Sequence, residues 1–286
     1  MIVRPASAEP VDYVLIGHIT ADLTPQGRQV GGTVSYAIRT AHAFGLRVGL
    51  LTSAQPDDPL VQELAAYGQV LVIPAEHTTT FENHYTPNGR TQYVRAVAGA
   101  ILPEHVPSAW ESAPLLHIAP VAGEAENLQL FERFDQARWM LTLQGWLRQW
   151  DASGLVRFKP WFRPMILERL ELLVFSEEDI HQQPGLLHQI APYTKHLLYT
   201  QAEHGGLHLQ NGLPTPFRSP TVKAIDPTGA GDIFATTALC ALYLTGSIRR
   251  AVQIAAALAA NSVMRVGVAG VPTPAQIKMA LEATRG

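Results

Sequence analysis

The feature that most constrains the fold is an alternation of short apolar runs with helix-like segments. The continuous runs are typical of strands buried on both faces of a parallel sheet, and they lie at 13–17, 48–52 and 70–73. The helix-forming segments between them stop at Gly45 and Gly68, as helices commonly do. This β-α-β-α-β order predicts a doubly wound α/β/α sandwich.

The same alternation resumes after one interruption. Further strands are predicted at 115–119, 139–143, 172–175 and 196–200, and helices at 126–136, 231–244 and 248–266. In the interruption, Asn88-Gly89 lies between alternating β-formers, which is a strong hairpin signal. A hairpin at this place is typical of a lid or an edge extension. The alternative is a surface hairpin without a function. We expect one domain over 1–286, with lid strands from about 20–32 and 78–98.

Composition and charge narrow the function classes. The chain has 286 residues, 47% of them hydrophobic and 16% charged, which excludes a disordered protein. A net charge of −3 argues against nucleic acid as the main partner. Cys240 is the only cysteine, which excludes a disulfide framework and a thiolate zinc site. With neither a secretory signal nor an 18-residue apolar stretch, the expectation is a cytoplasmic protein without a membrane partner.

The stretch that carries chemistry is Asp-Pro-Thr-Gly-Ala-Gly-Asp at 226–232, directly before the helical run 233–244. A small-residue turn entering a helix leaves backbone N–H groups unpaired, and the helix dipole adds positive charge there. Gly229 and Gly231 would let the backbone approach a phosphate closely. The stretch therefore predicts an anion site.

Asp232 is unexpected at such a place, because a carboxylate repels a bound phosphate. It is useful there if it takes a proton from an attacking hydroxyl. The alternative is that Asp232 only caps or charges the first turn of the helix. The glycines immediately before it favour the chemical interpretation.

The stretch 226–232 resembles the C-terminal motif of the ribokinase-like (PfkB-type) carbohydrate kinases. Weaker similarities follow in the family's order: Gly17 with Asp22, Gly31-Gly32 before the helix at 35–44, the lid tip at 88–91, Ala259-Ala260-Asn261, and Val266-Gly267. The resemblance extends over almost the whole chain and implies a ribokinase-like fold with a small β lid.

The resemblance also implies roles for individual residues. Asp232 would be the general base, and the N–H groups of Gly229, Ala230 and Gly231 would stabilise the transferred phosphoryl group. Asp22, Gly32 and Arg90 would hold the substrate. The residues implied near the nucleotide are Thr200, Gly205, Thr228, Asn261 and Gly267. ATP and Mg²⁺ are implied as well, and some members of the family also use a monovalent cation.

Several positions depart from the family pattern. An Asn-x-x-Glu stretch that organises Mg²⁺ through water is replaced by 176–179, where Glu178 or Asp179 would take that role. The open alternative is an acidic first helical turn capped by Ser176. Ala202 replaces the first glycine of a Thr-x-Gly-x-x-Gly stretch, Tyr36 stands where many sugar kinases have Asn, and Thr236-Thr237 replace small residues. These changes indicate a divergent subgroup.

Gln144-Gly145-Trp146-Leu147-Arg148 resembles a stretch in the branch that includes inositol-kinase-like members. Residues just beyond a strand in a doubly wound sheet point into the ligand crevice, so Gln144 and Arg148 could bind hydroxyls or a phosphate. A loop with an exposed arginine is the alternative. The nearby tryptophans could stack on a sugar, although packing is the more common outcome.

Together these features predict an ATP-dependent kinase that phosphorylates a hydroxyl of a small sugar, polyol or cyclitol. Two alternatives stay open: a nucleoside kinase, and a catalytically weak pseudokinase that binds a sugar or nucleotide and regulates a partner. The resemblance also raises a homodimer formed through the lid hairpin, since family lids sometimes pair between subunits.

Overall fold

The strands of the central sheet follow the predicted alternation closely. In the computed structural model, which describes residues 2–25, 27–86 and 89–285, with backbone alone for 85, 86, 89 and 90, ten strands form one sheet. Their order is β1-β6-β5-β2-β9-β10-β13-β14-β15-β16. The strands are β1 (Ile2–Val3), β2 (Tyr13–Ile16), β5 (Val48–Ala54), β6 (Gln69–Pro74), β9 (Leu115–Ile118), β10 (Arg138–Thr142), β13 (Leu172–Ser176), β14 (His196–Thr200), β15 (Gly206–Gln210) and β16 (Leu213–Phe217).

The sheet is parallel from β1 to β14, and β15 and β16 extend it as an antiparallel hairpin. Helices cover both faces, which confirms the predicted doubly wound α/β fold. The helices are α1 (Thr33–Ala43), α2 (Pro59–Leu64), α3 (Leu128–Glu132), α4 (Pro164–Leu167), α5 (Glu177–Ile180), α6 (Leu186–Ile190), α7 (Ala230–Thr245), α8 (Ile248–Ser262) and α9 (Pro274–Ala283).

Burial on both faces explains the continuous apolar runs. In β2, Tyr13 and Leu15 pack with α1, α2, α7 and α8, while Val14 and Ile16 pack with α3 to α6. Successive side chains of a strand point to opposite faces, so a strand covered on both sides has no polar positions.

Two predicted helices are shorter than expected. The helix predicted at 126–136 is confined to α3, where the Asn127 side chain accepts a hydrogen bond from the Gln129 N–H and starts the helix. The helix predicted at 248–266 ends at Ser262. The next carbonyl, that of Val263, accepts from the N–H groups of Ile225 and Asp226, so the chain leaves the helix to meet the 226–232 stretch.

A separate four-stranded sheet lies in the segments that the sequence predicts as lid. Its order is β4-β3-β7-β8, with β3 (Thr20–Thr24), β4 (Gly27–Gly31), β7 (Thr79–Thr86) and β8 (Gly89–Ala96). β7 and β8 pair antiparallel as the predicted hairpin, while Asn88 of the predicted turn lies outside the described residues. The inner side chains Phe81 and Val94 pack on Val121 and Ala122 of the main body.

Polar side chains tie this small sheet to the main sheet. The buried His18 follows β2; its Nε2 donates to the Gly99 carbonyl at 2.8 Å, and its Nδ1 lies 2.8 Å from the Thr79 hydroxyl. On the other edge, Arg28 of β4 donates to the buried Asp58 at 2.6 Å. The position of the small sheet over the main sheet is therefore fixed by specific hydrogen bonds.

A third sheet, which the sequence did not predict, supports β8. It is a hairpin of β11 (Arg148–Trp150) and β12 (Val156–Phe158). The Val94 N–H donates to the Gly154 carbonyl at 2.8 Å, and Tyr93 forms a bridge with Leu155. The chain that leaves β10 thus reaches the small sheet before it returns to the body.

Candidate active site

Predicted site residues gather at the carboxyl ends of the central strands, beneath the small sheet. The chain leaves β2 toward one side of the sheet and β9 toward the other, so the topological switch point lies between these two strands. Ligands of open α/β sheets bind at such a point. Gly17 follows β2 here, and a Cβ on it would lie 2.2 Å from the Ala119 carbonyl oxygen, which explains the glycine.

The 226–232 stretch forms the turn that enters α7. Gly229 has φ +78° and caps the helix, and Gly231 is exposed with open space where a side chain would start. Within the described residues, the N–H groups of Gly229 and Gly231 donate to no protein acceptor, whereas the Ala230 N–H donates to Pro227 O at 3.2 Å. Two of the three predicted anion donors are therefore free.

Asp226 holds this turn in place. Its carboxylate accepts from the Thr228 N–H at 2.9 Å and from the Gly267 N–H at 2.8 Å. Partial burial pushes the pKa of Asp226 upward, but these hydrogen bonds outweigh burial and leave the pKa below its ordinary value. An ionised Asp226 thus joins Thr228 and Gly267, both predicted near the nucleotide.

Asp232 lies in the first turn of α7 and is half-buried. Desolvation raises the pKa of its carboxyl to about 6; a hydrogen bond with Thr33 and the charge of Arg148 oppose the rise, and the charge of Asp179 adds to it. A carboxylate with a pKa near 6 is ionised at neutral pH and is a stronger proton acceptor than an ordinary aspartate. Thr33, the first residue of α1, was missed by the sequence reasoning.

The acidic stretch 176–179 begins α5, and Asp179 in it also contacts the predicted site. Ser176 and Asp179 form a reciprocal capping box at the start of α5, as in the structural alternative. The other carboxylate oxygen of Asp179 accepts from Gln144 Nε2 at 3.2 Å, and its charge acts on Asp232. Glu178 is exposed. Of the two residues considered for a role at Mg²⁺, Glu178 and Asp179, only Asp179 is shown acting on Asp232.

Arg148 lies at the base of the β11–β12 hairpin and is half-buried. Its guanidinium lies 5.8 Å from the Phe81 ring centre, and one of its nitrogens donates to Val121 O at 3.5 Å. Its positive charge also lowers the pKa of Asp232. Arg148 is therefore placed between the small sheet and the first turn of α7.

Asp22 and the two glycines at 31–32 lie together. Asp22 is half-buried in β3, and its carboxylate occupies the space beside Gly31, where a Cβ would lie 2.2 Å from Asp22 Oδ2. Gly32 has φ +77° and starts α1, with Thr33 immediately after it. This arrangement connects Asp22 with the Thr33–Asp232 pair. Arg90, the other predicted substrate residue, belongs to β8, and its side chain lies outside the described residues.

Thr200, predicted near the nucleotide, ends β14 and is half-buried. Gly205 has φ +88°, and a Cβ on it would lie 2.2 Å from Phe217 O, so this glycine is required. Ala202 keeps a positive φ of +47° although it is not glycine. The chain therefore keeps the glycine conformation where the sequence departs from the family pattern.

Replacing Ala202 by Gly is expected to stabilise the fold. A left-handed conformation costs an L-residue about 1–2 kcal/mol, and glycine would remove this cost. About 0.5–1 kcal/mol of the benefit is lost, because glycine makes the unfolded chain more flexible. We expect the free energy of unfolding to rise by about 0.5–1 kcal/mol, measured by urea denaturation. An unchanged or lower stability would contradict a strained Ala202.

Asn261 and Gly267 lie at the end of α8 and in the loop after it. The Asn261 amide oxygen accepts from Arg265 at 3.0 Å and from Gln276 at 2.7 Å, so it is already hydrogen-bonded within the protein. Gly267 has φ +53° and donates to Asp226. Gly267 thus touches the turn before α7 directly, while Asn261 is linked to α9.

The tryptophan cluster has no part in this crevice. Trp139, Trp146 and Trp161 are nearly fully buried, and their rings pack on each other and on Phe131 in the core. The packing interpretation is therefore confirmed for these three residues, whereas Trp150 of β11 is exposed.

Comparison with family models gives one match. The model of the pfkB family carbohydrate kinases matches residues 161–276, a range that includes β13, β14 and the turn before α7. A search of curated proteins gives no match.

Solved structures match over nearly the whole chain. A pyrophosphate-dependent kinase in the ribokinase family, complexed with a pyrophosphate analog and myo-inositol, has a TM-score of 0.76 at 20% identity, covering 93% of this chain and 99% of that one. Ribokinase from Thermotoga maritima has 0.71 at 16% identity, covering 94% and 99%. A ribokinase II from E. coli in complex with ATP and Mg²⁺ has 0.68 at 17% identity, covering 95% and 99%.

These matches confirm the predicted resemblance. The fold of the chain is ribokinase-like, and residues 161–276 match the model of the pfkB family of carbohydrate kinases. The predicted enzyme class, a phosphotransferase with an alcohol acceptor, is that of this family. No helix in the described ranges is long and apolar enough to cross a membrane.

Proposed function

We propose that the protein is an ATP-dependent kinase that phosphorylates a hydroxyl of a small sugar, polyol or cyclitol. The observation that carries the proposal is the pairing of a free N–H turn, at Gly229 and Gly231, with a half-buried carboxylate of raised pKa, Asp232, one turn into the same helix. The turn can bind an anionic phosphoryl group, and the carboxylate can take a proton from the acceptor.

In this mechanism the acceptor oxygen attacks the γ-phosphorus as Asp232 takes the hydroxyl proton. The bond from the γ-phosphorus to the bridging oxygen breaks, and ADP leaves with the electron pair. The N–H groups of Gly229 and Gly231 stabilise the charge that the transferred group carries in the transition state. The proton stays on the Asp232 carboxyl until it passes to solvent.

The remaining predicted residues divide between acceptor and donor. Asp22 lies beside Gly31, next to Gly32 and Thr33, so it supplies a carboxylate to acceptor hydroxyls. Gly32 and Arg90 are the other residues proposed to hold the acceptor. Gln144 and Arg148 complete the crevice from the end of β10. On the donor side, Thr228 of the turn and Gly267, which donates to Asp226, act with Thr200 at the end of β14 and with Gly205.

Oxygen ligands suited to Mg²⁺ are present at 176–179. Asp179 is half-buried and acts electrostatically on Asp232, and hard cations prefer carboxylate oxygens. Asp179, with Glu178 at the surface, would hold the ion through water, and the ion would neutralise phosphate charge in the donor. A monovalent cation and a homodimer through the small sheet stay predictions from the family resemblance, and a cytoplasmic location stays a prediction from the sequence.

Pyrophosphate is a second candidate donor. The structural match with the TM-score of 0.76 is a pyrophosphate-dependent kinase. In this chain, the Asn261 amide oxygen, predicted near the nucleotide, is bound by Arg265 and Gln276 instead of facing a ligand. Pyrophosphate has no nucleobase, so binding it would need no hydrogen bond with Asn261.

A matched panel tests the proposal. Wild-type protein with Mg²⁺ and K⁺ is given ATP or pyrophosphate and, in turn, sugars, polyols, inositols and nucleosides, and release of ADP or phosphate is measured. Turnover with a sugar, polyol or cyclitol supports the proposal, and turnover with nucleosides alone supports the nucleoside-kinase alternative. Binding of ligand without any turnover would leave the pseudokinase.

The pH dependence gives a further prediction. Asp232 must be ionised to accept a proton, so kcat/KM for the acceptor is expected to fall about tenfold per pH unit below about 6 and to level off above it. Because the Asp179 charge raises the pKa of Asp232, Asp179→Asn is expected to move the acidic limb to lower pH. A flat profile from pH 5 to 8 would contradict Asp232 as the base.

A further inference from the structure

Tyr36 packs on the turn that precedes α7. It lies in α1, on the turn after Gly32, and its side chain is only 5% exposed. A Cβ on Gly229 would lie 2.2 Å from Tyr36 Cε1 and 2.4 Å from Cδ1 and Cζ. The Tyr36 ring therefore covers the backbone of the glycine that starts the anion site.

The carboxylates of the same site act electrostatically on the hydroxyl of Tyr36. Burial raises the pKa of Tyr36, and the charges of Asp232, Asp226 and Asp22 raise it further, while Arg39 acts in the opposite direction. The phenol is therefore neutral at every physiological pH and keeps its proton. The phenol can donate one hydrogen bond, whereas ionised carboxylates can accept hydrogen bonds but cannot donate them.

This donor has no partner among the residues that the structure describes. The Tyr36 hydroxyl forms no hydrogen bond with any described residue, and it is not among the fully enclosed unpartnered atoms, so it reaches accessible space. Packing on Gly229 needs only the ring, which phenylalanine would also supply. Because the hydroxyl reaches accessible space next to the proposed anion site, a ligand bound there can accept its hydrogen bond.

We propose that Tyr36 is an acceptor-specificity residue: its ring forms the wall between the acceptor pocket and the turn at Gly229, and its hydroxyl donates to an oxygen of the acceptor. The inference rests on the proposed kinase function. The acceptor side is favoured because α1 starts at Gly32 and Thr33, which connect Asp22 with Asp232. The Tyr36 ring would also exclude acceptors that carry a bulky group where they face it.

The test uses three single variants of the full chain and the acceptor that the wild type prefers. Tyr36→Phe keeps the wall and removes the donor, so the acceptor KM is expected to rise about 3- to 10-fold, the effect of losing one neutral hydrogen bond, with the donor KM unchanged. Tyr36→Ala removes the wall and is expected to shift relative kcat/KM toward bulkier acceptors. Tyr193→Phe, at an exposed tyrosine packed on Phe162, is the control and should match wild type.

The outcomes separate the inference from the function on which it rests. If the wild type turns over and Tyr36→Phe has the wild-type acceptor KM, Tyr36 only packs and the inference is wrong, while the kinase function stands. If Tyr36→Phe raises the donor KM instead, the hydroxyl serves the donor and the inference is again wrong. A wild type that phosphorylates no acceptor would overturn the proposed function and the inference with it. Melting temperatures of all variants show whether the fold is kept.

Discussion

Replacing Asp232 by Asn is expected to lower kcat by about 10²- to 10⁴-fold, the range that a positioned general base contributes. Asparagine keeps the size of the side chain and an oxygen that can accept from Thr33, but it cannot take a proton. Donor binding should change little, because the N–H groups of Gly229 and Gly231 are unaltered. Steady-state kinetics and isothermal titration with the donor measure the two effects.

The same substitution has a consequence for stability that does not depend on activity. The pKa of Asp232 is about 6 in the folded protein and 3.8 in the unfolded reference, so the folded state binds the proton more tightly. The ionised carboxylate therefore destabilises the fold at a pH above about 6, and this cost fades as pH falls toward 4. Asp232→Asn is expected to melt at or above the wild-type temperature at pH 8. A clearly lower melting temperature there would contradict a desolvated carboxylate.

Replacing Gly229 by Ala is expected to lower kcat by about 10²- to 10³-fold, as when one oxyanion donor is lost. The added Cβ would lie 2.2 Å from the Tyr36 ring, and φ at this position is +78°. The left-handed conformation alone costs about 1–2 kcal/mol for alanine, and the contact with Tyr36 forces the turn or the ring to move. The N–H groups would then no longer point at one phosphoryl position.

Gly246→Ala is the matched control for that variant. Gly246 caps the other end of α7 with φ +64°, but nothing lies within 4 Å of the place where its Cβ would be. This variant carries the backbone strain without the clash and without a role at the site. We expect Gly246→Ala to lose stability while keeping kcat. If the two variants lost equal activity, general destabilisation would explain the loss.

The central strands could be predicted because burial on both faces leaves a continuous apolar run, as in β2. The edge hairpin β15–β16 was missed for the opposite reason. Pro214 and Pro216 make β16 look like a loop, yet an edge strand needs no outward N–H partners and tolerates proline. Helix α9 had a signal that could have been used, the Thr273 to Gln276 capping box with Pro274 at its start.

The candidate site was predictable to the extent that its chemistry is contiguous in the sequence. Residues 226–232 contain the turn, both free N–H groups and the carboxylate. The hydrogen bond from Thr33 and the contact of Tyr36 with Gly229 depend on how α1 packs against α7, and no local pattern encodes that packing. The pKa of Asp232 likewise follows from burial and from the charges of Asp179 in α5 and Arg148 in β11.

The measurement that tests the central claim most directly is detection of the phosphorylated product itself. Wild type and Asp232→Asn are incubated side by side with the donor and the best acceptor of the panel, and the product is identified by ³¹P NMR as a phosphate ester. We expect the wild type to form the ester and Asp232→Asn to form it at least about 10²-fold more slowly. Equal amounts of ester from the two proteins would contradict Asp232 as the base, and free phosphate without any ester would contradict transfer to a hydroxyl.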